Sequence, residues 1–429
     1  MPREMKNSGI AWIGEIPYNW NLKRLKFCSS FQQDKYSDNK GDLSYIGLEN
    51  IVSWCGKLIE TESEYDKEQS LVFRTNDILW GKLRPYLAKV YHATCDGCCS
   101  GEFCVIRIDK EHNARYFWNL LISSEFVSTV DRSTYGAKMP RANADFIKNI
   151  VVPIPPRNDQ EKVADFLDTE CGRIDAVMEQ TRASIEEYKK LKQAIITEAV
   201  TKGIRKNRPM KDSGVEWIGE ICYDWYLAKI KVGVTKVGSG KTPAGGAESY
   251  SEEGVLFLRS QNVYDTGLVL DHPTYITEEI DEEMKNTRVM PDDVLLNITG
   301  GSIGRCCIFP VNLGNANVNQ HVSIIRVKKE VISPEFMHYY WFSKLGNMSI
   351  QLYQSGGNRE GMTADAINNS PIPLPSISEQ REIVEYLNKK CLGLDFLIEK
   401  KQQLLSEMEL YKKSVIYEYV TGKKEVPCE

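Results

Sequence analysis

The chain has 429 residues, 42% of them apolar and 26% charged, which is the balance of a soluble globular protein with room for more than one core. No run of about 18 apolar residues and no leader pattern occurs, so no membrane-spanning helix and a cytoplasmic location are expected. A formal charge of −5 and a pI near 5.8 weigh against a free-standing domain that grips nucleic acid by a basic face, and imply a partner if nucleic acid is bound.

The opening MKNSGIAWIGEIPYNW at Met5 returns as MKDSGVEWIGEICYDW at Met210, an offset of 210 − 5 = 205. Trp12 and Trp217 are expected to anchor the core against helix ends. A variable region follows, from about Leu22 to Arg157. Its β-like runs are Leu43 to Leu48, Ile78 to Trp80, Ala88 to His92 and Phe103 to Ile108, with Asp96-Gly97 reading as a hairpin turn and a helix expected from Ala114 to about Val130. The loop STYGAKMPRAN and the extended exit VVPIPP lead into a long helix.

That helix, from about Asn158 to Lys202, repeats apolar positions every seven residues: Leu167, Ile174, Thr181, Tyr188 and Ile195, with Cys171, Met178, Ile185 and Ala199 interleaved. The pattern returns from about Ser378 to Lys423 through Leu387, Leu394, Lys401, Met408 and Val415, with Cys391, Ile398, Leu405 and Tyr419 between them. Gln160 falls on Gln380 and Asp175 on Asp395, an offset of 380 − 160 = 220. Each helix is roughly 65 Å long at 1.5 Å per residue. Lys192 and Lys412 fall at matching seam positions; because a buried charge is costly, the seam is expected to shift there onto Leu191 and Tyr411.

The chain thus reads as a tandem duplication of α+β class. Its divisions are 1–21 (opening segment), 22–157 (first variable domain), 158–204 (first long helix), 205–227 (repeated opening), 228–377 (second variable domain) and 378–424 (second long helix). The two helices are expected to pack as an antiparallel coiled coil separating two homologous domains of mixed β-sheet and short helices.

Chemistry is hard to find. GSGKT at Gly238 to Thr242 lacks the earlier glycine of a phosphate loop, because Thr235 stands there, and Pro243 denies the helix. Pro291-Asp292-Asp293 has no downstream acid-x-Lys, and its equivalent Asn76-Asp77 is a turn before a strand. The twelve cysteines are scattered and are expected to be reduced thiols; Cys95, Cys98, Cys99 and Cys104 lack the second ligand pair of a zinc finger. No nucleophile meets a base and no carboxylate pair is set for a metal, so no catalysis is expected from the chain alone.

Taken together, SGxxWIGEIP, YIGLENI at Tyr45, DILWGKLRPYLAKV at Asp77, SGEFCVIRI at Ser100, YGAKMPRAN, PIPP followed by Gln160-Glu161, and the second copy of the whole resemble the specificity subunit of type I restriction-modification systems. The resemblance covers nearly the full chain, twice, in order. It implies two target-recognition domains that read the halves of a bipartite site on double-stranded DNA. The helices would act as a ruler, and the assembly would contain two methylation subunits and restriction/translocation subunits. S-adenosylmethionine, ATP and Mg would be bound by those partners and none by this chain. Exposed helix faces, including Glu186, Lys189 and Lys190, would be where the methylation subunits dock.

Base readout needs Arg, Lys, Asn or Gln within reach of base edges. The candidates in the first domain are Lys82, Arg84, Tyr135, Lys138 and Arg141. In the second they are Lys241, Thr242, Arg259, Gln261, Asn262, Arg305, Gln354, Asn358 and Arg359. The rival reading is a coiled-coil scaffold whose repeated domains bind proteins, which predicts no salt-sensitive DNA association.

Overall fold

The computed structural model describes residues 3–37, 43–61, 70–136, 138–353 and 361–427. The chain divides into two compact units, Met1–Arg182 with Gln402–Glu429, and Ala183–Lys401.

In the first unit the opening segment is a hairpin, Met5–Asn7 antiparallel to Glu15–Pro17. Its apolar side chains Ile13, Ile16 and Trp20 form a small core. Tyr417 Oη donates to the Trp12 carbonyl at 3.1 Å and Lys423 Nζ to that of Ile13 at 2.8 Å, which fixes the hairpin on the end of the second long helix. Trp12 itself is only half-buried. It packs against the core of its unit, edge-on to Phe126 at 5.9 Å, as Trp217 packs against the core of the second, while the fully buried tryptophans are Trp20, whose indole N–H reaches Asp159 at 3.4 Å, and Trp225, which does the same toward Glu379 at 3.0 Å.

The apolar run Phe103–Ile108 becomes the central strand of a four-stranded antiparallel sheet, between Ser29–Gln32 and Ile78–Gly81, with Val90–His92 outside the latter. Gly97–Cys99 belongs to a different sheet, parallel to Tyr45–Ile46 and antiparallel to Leu71–Phe73. Asp96-Gly97 is therefore not a hairpin turn: the chain crosses between sheets there, and Asp96 is held by the backbone and hydroxyl of Thr75 at 2.8 and 2.9 Å. The single helix expected from Ala114 is two, Ala114–Ile122 and Ser124–Asp131. They break at Ser123, which leaves helical geometry (ψ 146°) and turns its hydroxyl back to the Leu120 carbonyl.

The second unit repeats this plan. Val322–Val327 is central between Val234–Ser239 and Val294–Asn297, with Cys306–Ile308 outside, and a second sheet orders Tyr275–Ile276, Val255–Leu258, Ala316–Val318 and Arg288–Val289. The offset between copies rises in steps, from 225 − 20 = 205 at the buried tryptophans, to 293 − 77 = 216 before the inner strand, to 220 at the long helices. The extra length is thus spread over several loops and leaves the framework unchanged.

Two locks are common to both units. Asp77 takes two hydrogen bonds from Arg107 at 2.8 and 2.7 Å, and Asp293 takes two from Arg326 at the same distances. Gln160 and Gln380, one turn into each long helix, accept from the backbone N–H of Asn113 and Ser333 and donate to the carbonyls of Pro155 and Pro375. Each amide thereby ties the helix start to the domain before it.

The long helices run Arg157–Lys202 and Ile377–Val420. In the first unit the start of the first helix (Val163, Leu167) shares a core with the end of the second (Val415, Tyr419, Val420). In the second unit the end of the first (Ile196, Val200) shares one with the start of the second (Ile383, Leu387). The helices are antiparallel, and the heptad positions face inward.

The seam does not shift at the lysines. Leu191 and Tyr411 are 46% and 54% exposed, whereas the Lys192 and Lys412 side chains keep only 18% and 13%. Each lysine has an acid across the seam: Lys412 meets Asp175 at 2.6 Å in the first unit, and Lys192 meets Asp395 at 2.7 Å in the second. The helices exchange roles between units, so one pair fixes the antiparallel register twice. A half-exposed pair of this kind is worth about 1 kcal/mol. Asp395→Lys should lower stability by about 1–2 kcal/mol through like-charge repulsion, and adding Lys192→Asp should recover most of it in urea denaturation.

Candidate nucleic-acid interface

In the first unit the structure brings together residues some fifty positions apart. After Gly81 the inner strand continues to Lys82, whose N–H donates to the Glu102 carbonyl at 2.8 Å and whose own carbonyl accepts from Ala142 at 2.9 Å. Arg84 N–H donates to Pro140 O at 2.8 Å, and Leu83 and Tyr135 each bridge to Arg141. Lys82, Arg84, Tyr135, Lys138 and Arg141 therefore share one rim. Tyr135 is 64% exposed, Met139 and Tyr86 are open beside it, and Arg84, Lys138 and Arg141 are exposed. Arg141 also pairs with Glu102 at 2.6 Å. Exposed cations interleaved with aromatic faces suit phosphate contacts and base edges.

Arg84 sits at φ +50° and Ala88 at φ +46°, a left-handed backbone that costs a non-glycine residue about 1 kcal/mol. The second unit places Gly300 (φ +69°) and Gly304 (φ +90°) at the equivalent positions, 300 − 84 = 216 and 304 − 88 = 216. The left-handed strain thus falls on an arginine in the first unit and on a glycine in the second. Arg84→Gly should raise stability by about 1 kcal/mol and weaken DNA association, measured by denaturation and by salt-titrated binding of the assembled complex.

The second unit carries the same backbone frame. Ile298 N–H donates to the His321 carbonyl at 3.0 Å, its carbonyl accepts from Met362 at 2.9 Å, and Thr299 bridges to Gly361. Gln354, Asn358 and Arg359, named from the sequence in this late loop, lie outside the described residues.

The remaining candidates are scattered. Lys241 is exposed beside the half-buried Thr242, and their loop follows Gly240, where a Cβ would come within 1.9 Å of the Val318 carbonyl; this glycine serves close approach of two chain segments. Arg259 is half-buried, bonded to Thr274 Oγ1 at 2.8 Å and lying over the Tyr250 ring. Arg305 stacks on Tyr264 at 4.6 Å, and Gln261 is exposed. Asn262 is instead buried, accepting from Arg259 N–H at 2.9 Å and donating to Val269 O at 2.9 Å. Asn50 makes the same turn in the first unit, accepting from Gly47 and donating to Ile59. Asn262 serves the turn.

The same junctions hold Glu102 and its equivalent His321 (321 − 102 = 219), with Thr299 and Gln320 beside the latter, none of which the sequence singles out. The match of CVIRIDKE with SIIRVKKE carries the same offset, and extending it two residues toward the N-terminus aligns Glu102 with His321.

One histidine supplies a pH readout. His338 Nε2 donates to the Cys306 carbonyl at 3.0 Å, as Trp118 Nε1 does to Val90 in the first unit. Burial, reinforced by Lys192, lowers its pKa below the usual histidine value, against opposing pulls from Asp265 and the backbone. A neutral folded histidine stabilises above its unfolded pKa of about 6.5, and that contribution is lost as pH falls through the folded pKa. The unfolding free energy should therefore drop more steeply from pH 6.5 to 5.5 in the native chain than in His338→Gln, by up to about 1.4 kcal/mol per pH unit in urea denaturation.

Among the described residues no group of three or more His, Cys, Asp or Glu is placed to hold a metal ion. Cys98, Cys99 and Cys104 are buried in strands, and burial raises the pKa of the Cys104 thiol to about 11 and that of Cys99 further, so both are protonated. No helix among the described residues is long and apolar enough to cross a membrane.

The profile of the type I restriction modification DNA specificity domain matches residues 24–187 and again 224–406, most of the chain. The chain belongs to that family. Members of the specificity family that it resembles include the putative MjaX specificity subunit of Methanocaldococcus jannaschii, 26% identical over 96% of this chain and 95% of the relative. The EcoBI specificity subunit of Escherichia coli is 24% identical over 75% and 68%. A chain from a type I R-M system, solved for its complex assembly and conformational transition, superposes with a TM-score of 0.77 at 18% identity, over 95% of this chain and 99% of that one. The HsdS subunit from Thermoanaerobacter tengcongensis superposes with a TM-score of 0.52 at 18% identity, over 95% and 98%. These two share the specificity-subunit fold of duplicated domains and two long packed helices. At the level of the family, the chain is a DNA-recognising specificity subunit, a class that is generally non-catalytic.

Proposed function

We propose that each unit reads one half of a bipartite double-stranded DNA site and that the chain is non-catalytic alone, delivering the site to partner subunits. The observation that carries this is the duplicated frame: the same three backbone segments meet around Lys82 and Ile298, yet the side chains they present differ. One scaffold with two sets of reading groups suits two different half-sites. The paired helices would count the base pairs between the halves without reading them, since two domains on a fixed spacer demand a fixed separation along the duplex.

The acidic balance of the chain favours shared binding, in which two methylation subunits supply much of the phosphate contact. Those subunits would carry S-adenosylmethionine, and restriction/translocation subunits would carry ATP and Mg, in the cytoplasm. The test is methylation mapping of genomic DNA from cells that express the chain with its cognate methylation subunit. A split motif, with adenine methylation in both halves and a constant gap, is the expected result. An undivided motif would overturn the ruler, and no motif with a demonstrably active partner would favour the protein scaffold.

A further inference from the structure

We infer that Glu102 and its equivalent His321 each set the identity of one base in the half-site of their own unit. This rests on the DNA-reading function proposed above. Both residues stand immediately before the central strand of their sheet, Phe103–Ile108 and Val322–Val327, and both give their carbonyl to the residue leaving the inner strand, Lys82 or Ile298. That same residue accepts from the end of the late loop, at Ala142 or Met362. Position 102, and its equivalent 321, thus flanks a three-segment junction centred on Lys82 or Ile298, with the late loop on the other side.

The side chains at this shared position have opposite chemistry. Glu102 Oε1 accepts from Arg141 Nη2 at 2.6 Å, while Oε2 is buried with no hydrogen-bond partner. A buried acceptor without a donor costs about 1–3 kcal/mol and calls for a role. An ionised carboxylate only accepts, so in the major groove it selects the exocyclic amine of cytosine and is opposed by the acceptors of guanine and thymine and by adenine N7. Arg141 is half-exposed, and its guanidinium can leave Glu102 for a phosphate or a guanine, opening the carboxylate as the duplex arrives.

His321 instead lies with Nδ1 2.6 Å from Thr299 Oγ1 and Nε2 3.2 Å from the Gln320 amide, among groups that can both donate and accept. Gly361 stands where the first unit has Arg141, so no cation accompanies it from that position. Imidazole and carboxamide match purine edges, not the lone amine that a carboxylate selects. The two units therefore demand different bases from one backbone position.

The experiment uses the full chain assembled with its methylation partners on a duplex library randomised in both half-sites. Glu102→Gln should change the preference at one position of one half toward adenine and reduce methylation of the original site roughly 5- to 150-fold, leaving the other half and the gap as they were. His321→Asn should change one position in the other half only. Both halves unaltered by Glu102→Gln, or both variants altering the same half, overturns the inference. A uniform loss with no position changed, in Glu102→Gln and in Glu102→Ala alike, also overturns it, because the role is then structural. Failure of the unsubstituted assembly to show any split motif would instead sink the DNA-reading function itself.

Discussion

Replacing Lys138 and Arg141 together with alanine should reduce methylation of the cognate site by about 10- to 1000-fold and relax one half of the motif while the other half persists. Both side chains are exposed on the rim that Lys82, Arg84 and Tyr135 complete, and neither supports the core. Loss of one bidentate base contact costs about 1–3 kcal/mol, and each phosphate contact removed lowers the salt slope by about one. The two contributions separate by experiment. If Lys138 touches phosphate, Lys138→Ala alone weakens binding uniformly and flattens the salt dependence. If Arg141 touches a base, Arg141→Ala alone changes the motif. Methylation mapping and salt-titrated binding of the assembled complex check both, and an unchanged motif together with an unchanged salt slope would remove this rim from the DNA surface.

How far the sequence revealed this protein depends on how local the signal was. The seven-residue period of Leu167, Ile174 and Thr181 is a property of one segment, and the helices follow it. Lys192 and Lys412 stay in the seam, against the expected shift onto Leu191 and Tyr411, because the cost of burying a lysine depends on the acid opposite, and Asp395 and Asp175 are supplied by the other helix, more than 200 residues away in the chain. Trp20 and Trp225 join Trp12 and Trp217 in the cores for a similar reason: the acids that receive their indoles, Asp159 and Glu379, arrive with the long helices. At the interface, the residue types were legible but their grouping was not. Lys82 and Arg141 meet only because the inner strand and the late loop close on one another, and Asn262 looked free until its turn was formed. Glu102 escaped notice since a lone acid does not advertise DNA contact; its position in the junction gives it meaning.

Asp293→Ala should destabilise the second unit by about 3–5 kcal/mol, the range found when one partner of a buried ion pair is removed. The carboxylate is 1% exposed and accepts three hydrogen bonds, two from Arg326 and one from the Met290 N–H at 2.7 Å. Its removal leaves a guanidinium between the central and inner strands with only the Arg288 carbonyl at 3.3 Å as a remaining acceptor among its described contacts. Lys236, whose pKa is already lowered by burial and by Arg326, loses the acid that opposes those effects. A stability of 5–15 kcal/mol for a domain makes such a loss a large fraction of the whole. Asp293→Leu with Arg326→Leu should recover part of it, since an apolar pair of similar volume carries no stranded charge. Urea denaturation measures both. A loss below about 1 kcal/mol in Asp293→Ala would show that water reaches the arginine, and that the pair repeated at Asp77 and Arg107 is not what keeps the two frames alike while their reading groups diverge.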